Sequence, residues 1–230
     1  MKENQMNQQI IKPNLRRLRT PPFRMSFPCL PPMKPREDED TGRKTYGIVM
    51  LFKPPFDKAP FLTALNEAMK HKFGPDTTSW PKIKRSAKDV LRDFEEYNHD
   101  AKSPLPGDWK GWVMVSANAT ASDAMKPPAV VGPTMQADGT FPVITDLREI
   151  YGGRWARATI EAYYFNIKNK NNGLTFGLSN VQLLKADARF GAERPAPEKD
   201  FDEVHGEWAG EGDAFEKGDE RAANDDDEKW

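Results

Sequence analysis

The twelve residues Arg154 to Phe165 constrain the fold of this chain more than any other stretch. Ala156, Ala158, Ile160, Ala162 and Tyr164 fall on one parity, and Trp155, Arg157, Thr159, Glu161 and Tyr163 on the other. A strand turns successive side chains to opposite faces, so this spacing predicts a strand with small apolar residues packed inward and rings and charges turned outward. A helix would scatter both sets around its axis. Asn169 to Gly173 then turns the chain, and Leu174 to Leu184 reads as a returning strand.

Other segments support a β-rich body. Thr45 to Lys53 (TYGIVMLFK) is apolar and rich in strand formers, and Pro54-Pro55 end it. Trp109 to Ala119 reads as a further strand, residues 120–135 as loop, Asp138-Gly139 as a turn and Gly152-Gly153 as a bulge or tight bend. Two helices are predicted between the first two strands. One has Asp57 at its N-cap and Phe61, Leu65, Ala68, Met69 and Phe73 at helical spacing, with Gly74-Pro75 as its stop. The other starts at Ser86, with Asp89 completing a capping box and Val90, Leu91, Phe94 and Tyr97 as its stripe. No helical period follows Tyr97. The expected fold is mainly β, a small barrel with a two-helix insertion near the N-terminal half.

The flanks differ from the body. Residues 1–36 hold eight basic residues against Glu3 and are punctuated by seven prolines, which disfavours helix and favours an extended or mobile arm. Residues 196–230 carry fourteen acidic and four basic residues, a net charge of −10. Because the whole chain is −1, residues 1–195 carry +9. The expected organisation is a basic flexible arm at 1–22, a folded domain at 23–195, and an acidic disordered tail at 196–230 that ends in Trp230. A hidden charge split of this kind favours nucleic-acid contact, and solubility alone is the competing explanation of the tail.

Little points to catalysis. Cys29 is the one cysteine, and His71, His99 and His205 have no metal-ligand spacing, so no cofactor or metal is expected. No P-loop, paired-His motif or nucleophile elbow is present. Asp138, Asp146 and Glu149 are too loosely placed for two-metal chemistry. No apolar run reaches the ~20 residues of a membrane span, and the N-terminus lacks a signal-peptide stretch, so a cytoplasmic protein is expected.

Outward rings beside cations suit single-stranded nucleic acid, because any exposed base can stack on a ring while basic groups follow the phosphates. The candidate binding residues are Trp112, Trp155, Arg157, Tyr163, Arg154, Lys53, Lys82, Lys84, Arg85 and Arg24. Burial of Trp112 and Trp155 beneath a loop is the structural alternative. The candidate partner-binding residues are Asp225, Asp226, Asp227, Glu228 and Trp230, where like charges surround one aromatic anchor. A scaffold module whose barrel face binds protein is the rival function, and a nuclease is a weaker third.

Three stretches carry a family resemblance. They are Arg24-Met25-Ser26-Phe27-Pro28 with Leu30; Asp138-Gly139 through Ile144-Thr145-Asp146 to Glu149-Ile150-Tyr151-Gly152-Gly153; and Tyr163-Tyr164 with Gly173-Leu174, Gly177 to Gln182 and Phe190-Gly191. Together they resemble the phage single-stranded-DNA-binding proteins of the Enterobacter-phage type, an OB-fold family. The resemblance implies non-specific coating of single strands in phage DNA replication, recombination or repair, in the cytoplasm of the infected host. It implies a tail that recruits replication partners such as DNA polymerase, and it leaves a homodimer open. The chain departs from the pattern over Pro75 to Pro106, at Gly153 where relatives often have Cys, and at Trp230 where relatives more often end in Phe.

Overall fold

The computed structural model describes residues 14–39, 41–102, 104–167 and 171–190. Nine strands and three α-helices occur among them: β1 (Arg17–Arg19), β2 (Phe23–Cys29), β3 (Arg36–Glu37), β4 (Lys44–Phe52), α1 (Ala59–Phe73), α2 (Ala87–Val90), β5 (Arg92–Asp93), α3 (Phe94–His99), β6 (Val113–Thr120), β7 (Ala129–Val131), β8 (Trp155–Ile167) and β9 (Asn171–Leu183). The chain is therefore mostly β.

The hydrogen-bonded neighbours run β8–β2–β4–β6–β9, and β9 pairs with β8 again, so the pairing closes on itself. β6 and β9 are parallel, and the other four pairings in this ring are antiparallel. β1 lies on β8 where β2 leaves it, with Arg17 opposite Glu161 and Arg19 opposite Thr159. β7 lies parallel to β9 at Asn180–Gln182.

The period-two reading of β8 holds. Ala156, Ala158, Ile160 and Ala162 are all buried in the main core with Phe23, Met50, Phe176 and Leu183. α1 closes one side by burying Phe61, Ala64, Leu65, Ala68 and Met69. Phe61 meets Phe52 and Phe176 edge-on, at 5.4 and 5.8 Å between ring centroids. Each such fully buried ring contributes roughly 1.5–3 kcal/mol of apolar transfer.

Several expectations are corrected. Residues 1–36 are not wholly an arm: β1, β2 and β3 lie within them. β2 buries Phe23, Met25 and Cys29, and pairing with β4 and β8 outweighs its proline-rich surroundings. The arm drawn to residue 22 likewise overlaps β1; residues 1–13 of it lie outside the described residues. Asp57 caps α1 from one position earlier than expected: Lys58 is the N-cap, and the Asp57 carboxylate accepts from the Ala59 N–H at 2.9 Å. The second helix is two short ones. The Asp89 carboxylate accepts from both the N–H and the hydroxyl of Ser86 at 2.7 Å, as the capping box predicts. Helix stops at Leu91, because Arg92 and Asp93 pair with Met114 and Val113 of β6 and the Asp93 side chain caps α3. The insertion thus holds three helices. Trp109 to Trp112 is a turn before β6, closed by the Trp112 N–H to the Trp109 carbonyl at 3.0 Å. The stretch read as loop over 120–135 contains β7.

Candidate nucleic-acid interface

The outward parity of β8 meets its neighbours in a basic groove. Arg157 Nε donates to Oε1 of Gln182, its cross-strand partner on β9, at 2.6 Å. Gln182 Nε2 in turn donates to the carbonyls of Gly132 and Pro133 at 3.0 and 3.2 Å. One amide thus fixes the guanidinium and anchors the loop after β7. Arg157 and Arg19 both line two cavities of about 500 and 660 Å³. The larger also has Lys53 and Phe56 on its wall. Arg19 reaches this place because β1 alternates exposed Arg17 and Arg19 around half-buried Leu18, which packs on the core. Glu161, the acidic residue on this face, is paired with Arg16 at 3.0 Å, which softens its repulsion of an anion.

Tyr163 stands at the far end of the same face. It is 36 % exposed, and its ring lies against Gly177, where a Cβ would come within 3.3 Å of Cε1. Six residue steps along the strand separate it from Arg157, about 20 Å at ~3.3 Å each. Arg85 is close enough to Tyr163 to feel its charge, while Lys82 and Lys84 line the tip of the β8–β9 hairpin with Asn166 and Ile167. Asn172 of β9 accepts from the Lys84 N–H at 3.0 Å and donates to the Lys82 carbonyl at 3.2 Å, binding the segment to the β8–β9 hairpin. Burial first, then nearby Arg92, pull Arg85 below the ordinary guanidinium range, opposed by Asp89 and Tyr163. Its Nε is buried with no hydrogen-bond partner among the described residues.

Four sequence candidates are engaged by other parts of the protein. Trp112 is buried, 9 % exposed, in a second cluster with Leu51, Phe94, Trp109 and Met114. It lies on the outward parity of its segment, but α3 and Trp109 cover that side, with Trp109 edge-on at 5.0 Å. Arg154 is turned inward to the Glu149 carboxylate and to the carbonyls of Glu149 and Leu184, both at 3.3 Å. Arg24 Nε donates to the Gly153 carbonyl at 2.8 Å and its Nη2 to the Ala188 carbonyl at 2.7 Å, with the guanidinium 4.5 Å from the Phe190 ring centroid. Both arginines tie the 149–153 and 184–190 segments to the sheet. Trp155 is half-buried against the second cluster. Its indole N–H donates to the Asp187 carboxylate at 2.7 Å, the main reason that carboxyl sits below its ordinary pKa. The tail residues Asp225, Asp226, Asp227, Glu228 and Trp230 lie outside the described residues.

Sequence reasoning missed two residues that line the groove, Arg19 and Phe141, and one exposed ring in a strained conformation, Phe27. Arg19 was absorbed into the arm, although Arg-Leu-Arg alternation is itself a strand signal. Phe141 sits in a stretch without period. Phe27 is 57 % exposed and adopts φ 45°, the one non-glycine residue with positive φ among those described. Such strain costs of order 1–3 kcal/mol and collects at functional surfaces. Arg36 donates to the Phe27 carbonyl at 2.7 Å and holds the kink. The sequence carries no signal for this kink, because the restriction on a residue before proline favours extended backbone at negative φ.

The sequence matches the family described as "Enterobacter phage Enc34, ssDNA-binding protein" over residues 17–215. No curated protein matches it. Among solved structures, it is similar to the single-stranded DNA-binding protein from bacteriophage Enc34 in complex with ssDNA. That match has 20 % identity and a TM-score of 0.57, covering 76 % of this chain and 90 % of the other. The C-terminal truncation of the same phage protein gives 19 % and 0.55, with 76 % and 89 % covered.

Proposed function

The chain belongs to the Enterobacter phage Enc34 ssDNA-binding protein family, and from that premise we propose that it coats single-stranded DNA without sequence preference. We read the body as an OB-type barrel, supported by the closed ring β8–β2–β4–β6–β9 with its one parallel pairing. The protein binds rather than catalyses. It works in the cytoplasm of an infected bacterium, in phage DNA replication, recombination or repair. The observation that carries this reading is that Arg157 and Arg19 line adjoining cavities, with Lys53 beside them, on the face that also presents Tyr163. Cations there follow phosphates while rings take bases, and stacking on a ring is indifferent to base identity. The −10 terminal segment competes with DNA for the basic body, and its last residues recruit a replication partner such as the polymerase.

Anisotropy titration of labelled oligo-dT tests this. If Arg19, Lys53, Arg157 and Arg85 each neutralise one phosphate, log K falls with log salt at a slope of roughly −2 to −3. Deleting residues 224–230 tightens binding at low salt. A folded protein with no single-strand affinity, or one whose affinity ignores salt, would defeat the proposal. Weaker binding after the deletion would remove the competition alone.

A further inference from the structure

The cavity between β8, β9 and the loop after β7 is more than a stretch of phosphate track. It encloses about 500 Å³ and has two chemically different sides. One side is polar and basic, with Arg157, Arg19 and Asn180; the other is apolar, with Val131, Met135 and Phe141. A groove that only followed the backbone would need the first side alone. The apolar side is supplied by a loop that is held in place. Gln182 binds the Gly132 and Pro133 carbonyls, the Gly132 N–H donates to the Pro142 carbonyl at 2.9 Å, and Gln136 and Thr140 close the tip. Met135 is nonetheless 55 % exposed, so its thioether is accessible from solvent at the cavity wall. Arg157 spends Nε on Gln182, and among the described residues its terminal nitrogens have no protein partner, which leaves them for an anion.

We propose that this cavity is a pocket for one extruded nucleotide of the bound strand. The base lies against Phe141 and Met135, its edge within reach of the Asn180 amide, and its phosphate is taken by Arg157 and Arg19. Flat apolar contact with a base and a guanidinium on its phosphate are the two interactions single-strand binders combine. Gln182 acts as a positioning residue, because one side chain sets the guanidinium and the apolar wall at the same time. The inference rests on the proposed single-strand binding and deepens it: a fixed nucleotide here sets the register of the strand on the face.

The test compares oligo-dT with an abasic oligomer of equal length, on the full chain and on Phe141→Ala. Wild type is expected to bind the abasic oligomer more weakly. Phe141→Ala lowers oligo-dT affinity about fivefold, within the range of one lost base stack, and leaves abasic affinity and the salt slope unchanged. Met135→Ala, at an exposed position whose change does not threaten folding, weakens oligo-dT about twofold by the same partial loss and again spares the abasic oligomer. Variants that bind oligo-dT like wild type, or that lose oligo-dT and abasic affinity equally, would overturn the pocket. A wild-type protein that binds neither oligomer would overturn the proposed function itself.

Discussion

Trp112→Ala lowers the stability of the fold by about 3–5 kcal/mol, the cost of truncating a buried large aromatic, and shifts the thermal midpoint down by roughly 10 °C. The ring is 9 % exposed and sits between Trp109, Phe94 and Met114. Its backbone carbonyl also accepts the Phe94 N–H at 2.9 Å, so the void opens beside the start of α3. Below the melting transition, oligo-dT affinity changes less than about twofold, since a ring beneath α3 offers no face to a base. Thermal unfolding and titration of the same preparation separate the two roles. A variant that melts like wild type but no longer binds would return Trp112 to the interface.

Arg157→Ala has the opposite signature. Affinity for oligo-dT falls about tenfold at 0.1 M salt, ~1.4 kcal/mol, in line with one charge-assisted contact. The log–log salt slope becomes shallower by about 0.7, one phosphate's share. The midpoint moves little, because the one side-chain hydrogen bond of Arg157 among the described residues goes to Gln182 Oε1 and its terminal nitrogens hold no other part of the fold. Arg24, of equal charge, is engaged with two carbonyls and the Phe190 ring, so charge count alone does not decide the effect. An Arg157→Ala protein with an unaltered salt slope would show that no phosphate sits there.

The parts of this molecule that were legible in its sequence are those decided within one element. Strict alternation fixed both faces of β8, and the Ser86–Asp89 pair announced the start of α2. What escaped was decided between elements. β2 looks like a proline-broken arm until β4 and β8 supply its partners. The continuous stripe from Val90 to Tyr97 conceals the break at Arg92–Asp93, because the pairing with β6 is a tertiary event. The site follows the same division. Parity put Arg157 and Tyr163 outward, and there Tyr163 is exposed while Arg157 is half-buried at the wall of a cavity. It put Trp112 outward too, but periodicity tells which side a residue faces and nothing about what is laid over it. Arg24 and Arg154 carry the same charge as Arg157, yet the 149–153 and 184–190 segments present carbonyls that draw both guanidiniums away from the groove. Arg19 shows the reverse: a residue assigned to a mobile arm joins the groove because a three-residue strand docks on β8.

In the proposed function, a single strand lies along the outward face of β8 and β9, from the Arg157 groove to Tyr163. Photocrosslinking with oligo-dT carrying 5-iodo-deoxyuridine, followed by peptide mapping, tests it most directly, since adducts form on rings in contact with bases. Adducts are expected on Tyr163 and on Phe141 or Phe56, suppressed by excess unlabelled oligo-dT. Adducts confined to Tyr97 on α3, with none on those three residues, would contradict it.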